Sequence, residues 1–231
     1  MNKLFFTLLS IFMLCNTSFA QYYRVERFSN GNRSVEVSGG GSDSIMTTWH
    51  ENGNRSGEGR YMYGKMIGAW HYYHESGKPQ ITMFFDSLNI SSYKEDKTIK
   101  GKLIKSVSAY ETGETEKIDN YNDGKHLFTT AFYQNGKVRE LVTYTDEIPT
   151  TGISWYENGS VKEMYSFVKK FTTTKVGKKD VTRVATEPLV YKQWHANGQI
   201  AIDGQLDAKS NKAGAWKMYD TEGNLTQTVE N

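Results

Sequence analysis

The apolar positions of this chain come in short runs separated by small polar turns, and the runs return at a near-constant interval. Trp49-His50-Glu51-Asn52-Gly53, Phe132-Tyr133-Gln134-Asn135-Gly136, Trp155-Tyr156-Glu157-Asn158-Gly159 and Trp194-His195-Ala196-Asn197-Gly198 are four clear copies of an aromatic pair followed by a turn. Tyr73-His74-Glu75-Ser76-Gly77 and Tyr219-Asp220-Thr221-Glu222-Gly223 are looser copies. Phe28-Ser29-Asn30-Gly31 and Tyr110-Glu111-Thr112-Gly113 are degenerate ones. The turn glycines at 31, 53, 77, 113, 136, 159, 198 and 223 are separated by 22, 24, 36, 23, 23, 39 and 25 residues. Five of the seven intervals share one period, and the other two are that period plus an insertion. Such a period marks a repeat protein, whose single unit cannot bury its apolar face alone.

Each unit reads as a β-hairpin. Asn-Gly, present in five of the eight copies, predicts a two-residue type I′ turn, because both central positions need φ > 0. The flanking segments, such as Leu127 to Gln134 and Lys137 to Tyr144, are short and β-prone. Trp, Tyr or Phe stands four before the glycine in six copies, and this position is predicted to be the buried anchor. The residue three before the glycine is aromatic or His in seven of eight copies, and it should point to the other face. Successive hairpins must then pair edge to edge or stack to become stable.

Residues Gly57-Glu58-Gly59-Arg60-Tyr61-Met62-Tyr63-Gly64-Lys65-Met66-Ile67-Gly68-Ala69-Trp70-His71-Tyr72-Tyr73 resemble the MORN repeat, with its spaced Gly, Tyr and Trp. The aromatic-x-x-Asn-Gly hairpins resemble the variant MORN repeat of bacterial proteins, a group that includes members labelled as antitoxins. Gly214-Ala215-Trp216-Lys217-Met218-Tyr219 repeats the element at 68–73. The resemblance covers about residues 28–77 and 109–225. It implies an all-β fold, an elongated antiparallel β-hairpin meander of about eight MORN-like repeats over residues 21–231. Residues 78–109 and 163–190 depart from the period and are expected to form two longer hairpin arms. The second is basic. Lys169, Lys170, Lys175, Lys178, Lys179 and Arg183 are the candidate interaction residues, suited to an anionic partner such as phospholipid head groups or a cell-wall polymer.

Composition narrows the picture. Fifteen Tyr, 11 Phe and 5 Trp stand against 3 Pro, which favours many short strands. Residues 1–20 read as a secretory signal peptide: Lys3, then an apolar run from Leu4 to Cys15, then Ser18-Phe19-Ala20 before Gln21. Cleavage there removes the single cysteine, so the mature chain has no disulfides. It also leaves 27 basic against 26 acidic side chains, a balance that argues against a nucleic-acid groove. No later segment approaches 18 consecutive apolar residues, so no spanning helix is expected. An exported protein, periplasmic or extracellular, follows.

Catalytic and metal chemistry find little footing in the sequence. On a strand, His71 and His74 face opposite ways and cannot share one ion. His50, His74 and His195 occupy a slot that other copies fill with Phe or Tyr, which marks a packing position. There is no Gly-x-Ser-x-Gly elbow, and Ser38-Gly39-Gly40-Gly41-Ser42 lacks the features of a phosphate loop. Glu51, Glu75 and Glu157 lie near hairpin tips, poor places for a raised carboxyl pKa. The expectation is therefore a non-catalytic module, without cofactor or metal, that binds a protein or an envelope component. The family resemblance implies an antitoxin-like or immunity-like role. An envelope carbohydrate-binding protein or glycoside hydrolase working through the aromatic ladder is the rival, and a structural surface protein a third reading.

Overall fold

A computed structural model describes residues 21–40, 42–86, 101–176, 179–207 and 211–231. The predicted signal peptide lies outside the described residues. Among them there is no helix. Sixteen strands form one antiparallel sheet in chain order, from β1 (Gln21–Arg27) to β16 (Leu225–Glu230), so the fold is the hairpin meander the repeats predict. Each strand touches only its neighbours in sequence. At about 4.8 Å per strand the sheet spans about 70 Å, and it is a single layer.

All eight repeat glycines sit on one edge of the sheet, each at a chain reversal with φ between 80° and 107°. The turn is not type I′. In each, the glycine N–H bonds to the carbonyl three residues back, as Gly53 to His50 at 2.9 Å. That residue's own N–H bonds to the carbonyl just after the glycine, as His50 to Asn54 at 2.8 Å. Only the glycine takes positive φ, and a bulge follows, as between Thr48 and Trp49. This is the three-residue hairpin loop with a left-handed glycine. Type I′ geometry appears instead on the opposite edge, at Tyr63-Gly64, Asp123-Gly124 and Asp146-Glu147.

Both departures from the period are connections on that opposite edge. The described ends of residues 78–109 form β6 (Pro79–Phe85) and β7 (Leu103–Ala109), which pair within the sheet. Between them, 87–100 lie outside the described residues. The second departure lengthens β12 (Val161–Val176) and β13 (Lys179–Trp194). Pairing with β11 (Ile148–Trp155) stops at Ser166, and pairing with β14 (Ile200–Leu206) stops at Tyr191. Beyond the irregularity at Ser166/Phe167 the two strands pair only with each other, from Phe167 with Pro188 to Val176 with Lys179, so the free ribbon is taken from 167 to 188, within the sequence boundary of 163–190. Its ten-residue strands reach about 33 Å past the edge.

The packed row is not where the aromatic anchors were expected. The six aromatic residues four before the glycine, such as Trp49 and Trp155, are half-buried. The buried row runs seven before and six after each glycine, and register carries it across all sixteen strands. Trp70 and Trp216 belong to it, at 4% and 3% exposure. So do Ser106, Asp119, Thr129 and Val142. Where a large ring occupies the row, the neighbouring strand supplies glycine: Gly59 lies under Trp70, Gly204 under Trp216 and Gly152 under Tyr165. A flat ring against bare backbone is how a one-layer sheet buries a tryptophan without a second layer.

Candidate functional site

The two sheet faces and the ribbon are the surfaces on which this fold can act. On the face of the buried row, rings cluster over three stretches. Tyr61 meets Trp70 edge-on at 4.8 Å, and Tyr72 stacks beside Trp70 at 6.4 Å. His126 lies between Tyr121 at 4.9 Å and Tyr144 at 3.9 Å, all nearly parallel. Tyr191 packs on Trp216 at 5.0 Å. Burial, the largest cause, pushes the Tyr165 and Tyr191 hydroxyls up to about 12, with Glu163 adding to both. These groups are hydrogen-bond donors and not charges at neutral pH.

In the middle of the row sits a buried polar cluster that the sequence did not announce. Thr129 Oγ1 donates to Asp119 Oδ1 at 2.6 Å, and Ser106 Oγ donates to Oδ2 at 3.3 Å. Lys117 Nζ lies 2.9 Å from Oδ2, and His126 Nε2 lies 3.3 Å from Oδ1. Register alone brings these residues together, since Asp119 pairs with Ser106 on one side and Thr129 on the other. His126 Nε2 also lies 3.0 Å from Thr129 Oγ1. The trio has the residue types of a hydrolytic triad but not its wiring. Thr129 gives its proton directly to Asp119, and the imidazole meets both through one nitrogen, so no base is aimed at a nucleophile. The cluster holds a charge in place.

The histidine slot proves to be a hydrogen-bonding slot. His50 Nε2 donates to Tyr73 O at 2.9 Å and His195 Nε2 to Tyr219 O at 3.0 Å. Tyr110, Tyr133 and Tyr156 make the same bond from their hydroxyls, to Phe132, Trp155 and Trp194 carbonyls at 2.7, 2.6 and 2.9 Å. Every one of these rings reaches the carbonyl four before the next repeat's glycine. His and Tyr interchange because both project a donor on a flat ring. His71 is occupied with Thr82 at 3.1 Å. Among the described residues no three His, Asp or Glu side chains converge to hold a metal.

The turn asparagines form a second ladder. Asn52 Nδ2 and Asn54 Nδ2 both donate to Glu75 O at 2.7 Å, and Asn197 Nδ2 donates to Thr221 O at 2.7 Å. Asn52 Oδ1 meanwhile accepts from Asn54 N at 2.9 Å, bracing its own turn. Asparagine is selected for its amide, not for left-handed φ. Asn52→Ala is expected to lower stability by about 1 kcal/mol, the net worth of exposed hydrogen bonds, read as a shifted urea midpoint. Glu222→Ala, at the Gly223 turn, where the side chain bonds to no other turn among the described residues, should leave the midpoint unchanged.

Five of the six candidate basic residues lie on the free ribbon. The backbones of Lys169 and Lys170 pair with Thr186 and Ala185, Arg183 with Thr172, and Lys179 with Val176. Lys175 pairs with Asp180 and is exposed. Lys178 lies outside the described residues. The tip glutamates Glu51, Glu75 and Glu157 are exposed. Two open hollows of about 440 Å³ each hold one carboxylate beside a cation. One has Asp203 with Lys192 at 3.6 Å, the other Asp43 with Arg60 at 2.7 Å. Hydrogen bonds from Arg60, the largest cause, hold Asp43 below the usual carboxylate range. Neither hollow offers a carboxylate pair.

No curated protein matches the chain. Among solved structures, a mutant of S. aureus TarM in complex with fondaparinux, α-GlcNAc-glycerol and UDP is 12% identical, over 52% of this chain and 21% of that one, with a TM-score of 0.21. The TcdB2-TccC3-TEV structure is 9% identical, over 90% of this chain and 10% of that one, with a TM-score of 0.23. The chain thus spans about a fifth or less of these much longer proteins. The family model of the MORN repeat variant matches residues 129–146, which are the end of β9 (Lys125–Phe132), the Gly136 turn and β10 (Val138–Thr145). That hairpin recurs at eight glycines across the sheet, which supports reading the chain as an array of MORN-variant repeats.

Proposed function

We propose that this is an exported, non-catalytic repeat module that binds a protein or an envelope component through the ringed face of its sheet. The 167–188 ribbon is a second contact for an anionic surface. One observation carries the reading: each strand touches only its sequence neighbours, so among the described residues no second layer covers either face. Aromatic rings on a wide, shallow surface suit a macromolecular partner better than a small molecule, which needs a concave site. Lys169, Lys170, Lys175, Lys179 and Arg183 on the ribbon, with Lys178 between its two strands in sequence, supply long-range attraction to negative charge.

Photo-crosslinking in the source cell tests the face. A benzophenone residue in place of Tyr61 or Tyr144 should yield a discrete adduct in the envelope or secreted fraction. Adducts from neither position, or retention of the protein in the cytoplasm, would overturn the reading. The ribbon has its own test. Replacing 167–188 by Asn-Gly should leave the thermal midpoint within a few degrees, because the sheet pairing ends at Ser166 and Tyr191. The same replacement should abolish salt-sensitive sedimentation with phosphatidylglycerol vesicles. Undiminished sedimentation removes the ribbon from the proposal.

A further inference from the structure

Eight turns on one edge make seven joints, and six of them are bonded from turn to turn. The first is held by Asn30 and Asn32 on Glu51 O, at 2.9 and 2.7 Å. The second has the Asn52 and His50 bonds already described, and the last four each carry a ring-to-carbonyl bond. The third joint, between the Gly77 and Gly113 turns, has none among the described residues. His74 occupies the ring slot, yet its Nε2 is buried without a partner. Ser108 Oγ, on the strand His74 should reach, is likewise buried and unpartnered. Ser76 stands where asparagine would reach across, and Ala109 replaces the large ring found at its position in most repeats. Attraction between Lys78 and the exposed Glu114 does cross the joint, but it acts through solvent and salt screens it.

We propose that the β6/β7 seam is a hinge built into the array, opening on the turn edge and fixed on the other. The fixed end is well defined. Asp86 N donates to Lys102 O at 2.9 Å, Lys102 N donates to Asp86 Oδ1 at 3.2 Å, and Lys105 lies over the Phe84 ring at 5.9 Å. The insertion at this joint is not the cause of the missing bonds. The sixth joint carries the still longer 167–188 ribbon, and Tyr156 there reaches Trp194 O at 2.9 Å. In a one-layer array, where each unit holds only its neighbours, flexing concentrates at the weakest interface. Opening this one would let the first three repeats swing as a block and expose the unpaired His74 Nε2 and Ser108 Oγ to a partner.

Hydrogen exchange of the full chain, followed by mass spectrometry, tests the hinge. Amides of β6 and β7 should exchange on the order of tenfold faster than those of the β4/β5 and β8/β9 seams, where β4 is Arg55–Met62, β5 Lys65–Tyr73 and β8 Thr115–Asn122. The double variant His74→Tyr, Ser76→Asn restores both donors used at other joints. It should slow exchange at β6/β7 alone. Equal protection at the three seams in the native chain would overturn the hinge, as would slowing in the variant spread evenly over the sheet.

Discussion

Replacing Gly59 by alanine is expected to destabilise the protein by about 3 kcal/mol, a cost set by the ring it displaces. An added Cβ would lie 2.1 Å from Trp70 Cδ2, 2.3 Å from Cε2 and 2.5 Å from Cγ. Those atoms form the rigid centre of the indole, so no side-chain end can swing aside. The indole is also tied down, with Nε1 donating to Arg60 O at 3.1 Å and Tyr61 meeting it edge-on at 4.8 Å. The ring must leave, exposing one of the few buried apolar side chains in the sheet. The urea midpoint should fall and tryptophan fluorescence should shift to the red. Trp70→Ala is the decisive partner variant. In its background Gly59→Ala should cost under about 1 kcal/mol, since the clash has gone. Additive effects would show that the glycine serves the backbone and not the ring. Gly152→Ala beneath Tyr165, with contacts from 2.3 Å, should behave in the same way.

How much of this was legible in the chain depends on whether identity or register carries the information. The eight glycines announced eight reversals, and each lies at one. Their turn type was misread because Asn-Gly is also the signature of type I′. The closing bond from the residue three before glycine requires one more loop residue, and asparagine is there for its amide. The buried row was hidden because its members share no chemistry: Trp70, Gly59, Ser106 and Asp119 all occupy it. A faint signal existed. Gly59 precedes Gly68-Ala69-Trp70, and Gly204 precedes Gly214-Ala215-Trp216, at nearly equal spacing. The basic ribbon was visible as composition, though its boundaries moved inward once pairing with β11 and β14 was seen. Asp119 was invisible. In Ile118-Asp119-Asn120-Tyr121-Asn122-Asp123-Gly124 it reads as one more turn residue, and only cross-strand register sets it between Ser106 and Thr129.

That register makes Asp119 the second large effect, and its signature is a pH dependence. Burial pushes its carboxyl pKa up, but hydrogen bonds from Thr129 and Lys117, with the charges of Lys117 and His126, outweigh burial and hold it below the ordinary carboxylate value. A pKa lower in the folded than in the unfolded chain means the unfolded chain binds the proton more readily. The stabilisation is therefore complete above the unfolded value of about 3.9 and is lost as pH falls through the lower native value. Lys117 carries the opposite sign. Its hydrogen bond to Asp119 raises it, so its share is lost only as pH climbs past the ordinary lysine range. Asp119→Asn should cost about 2 to 3 kcal/mol at pH 7, as expected when a buried charged acceptor is removed. Lys117 is 46% exposed and can turn to water, which keeps the loss below that of a fully buried pair. Urea midpoints of native and variant chains, measured from pH 8 down to pH 3, should stay well apart until about pH 4 and then converge. Profiles that remain parallel to pH 3 would mean that Asp119 is held by packing and not by its charge. Should they converge, the middle of the apolar row is an electrostatic clamp, and acid will loosen the sheet first around β8 and β9.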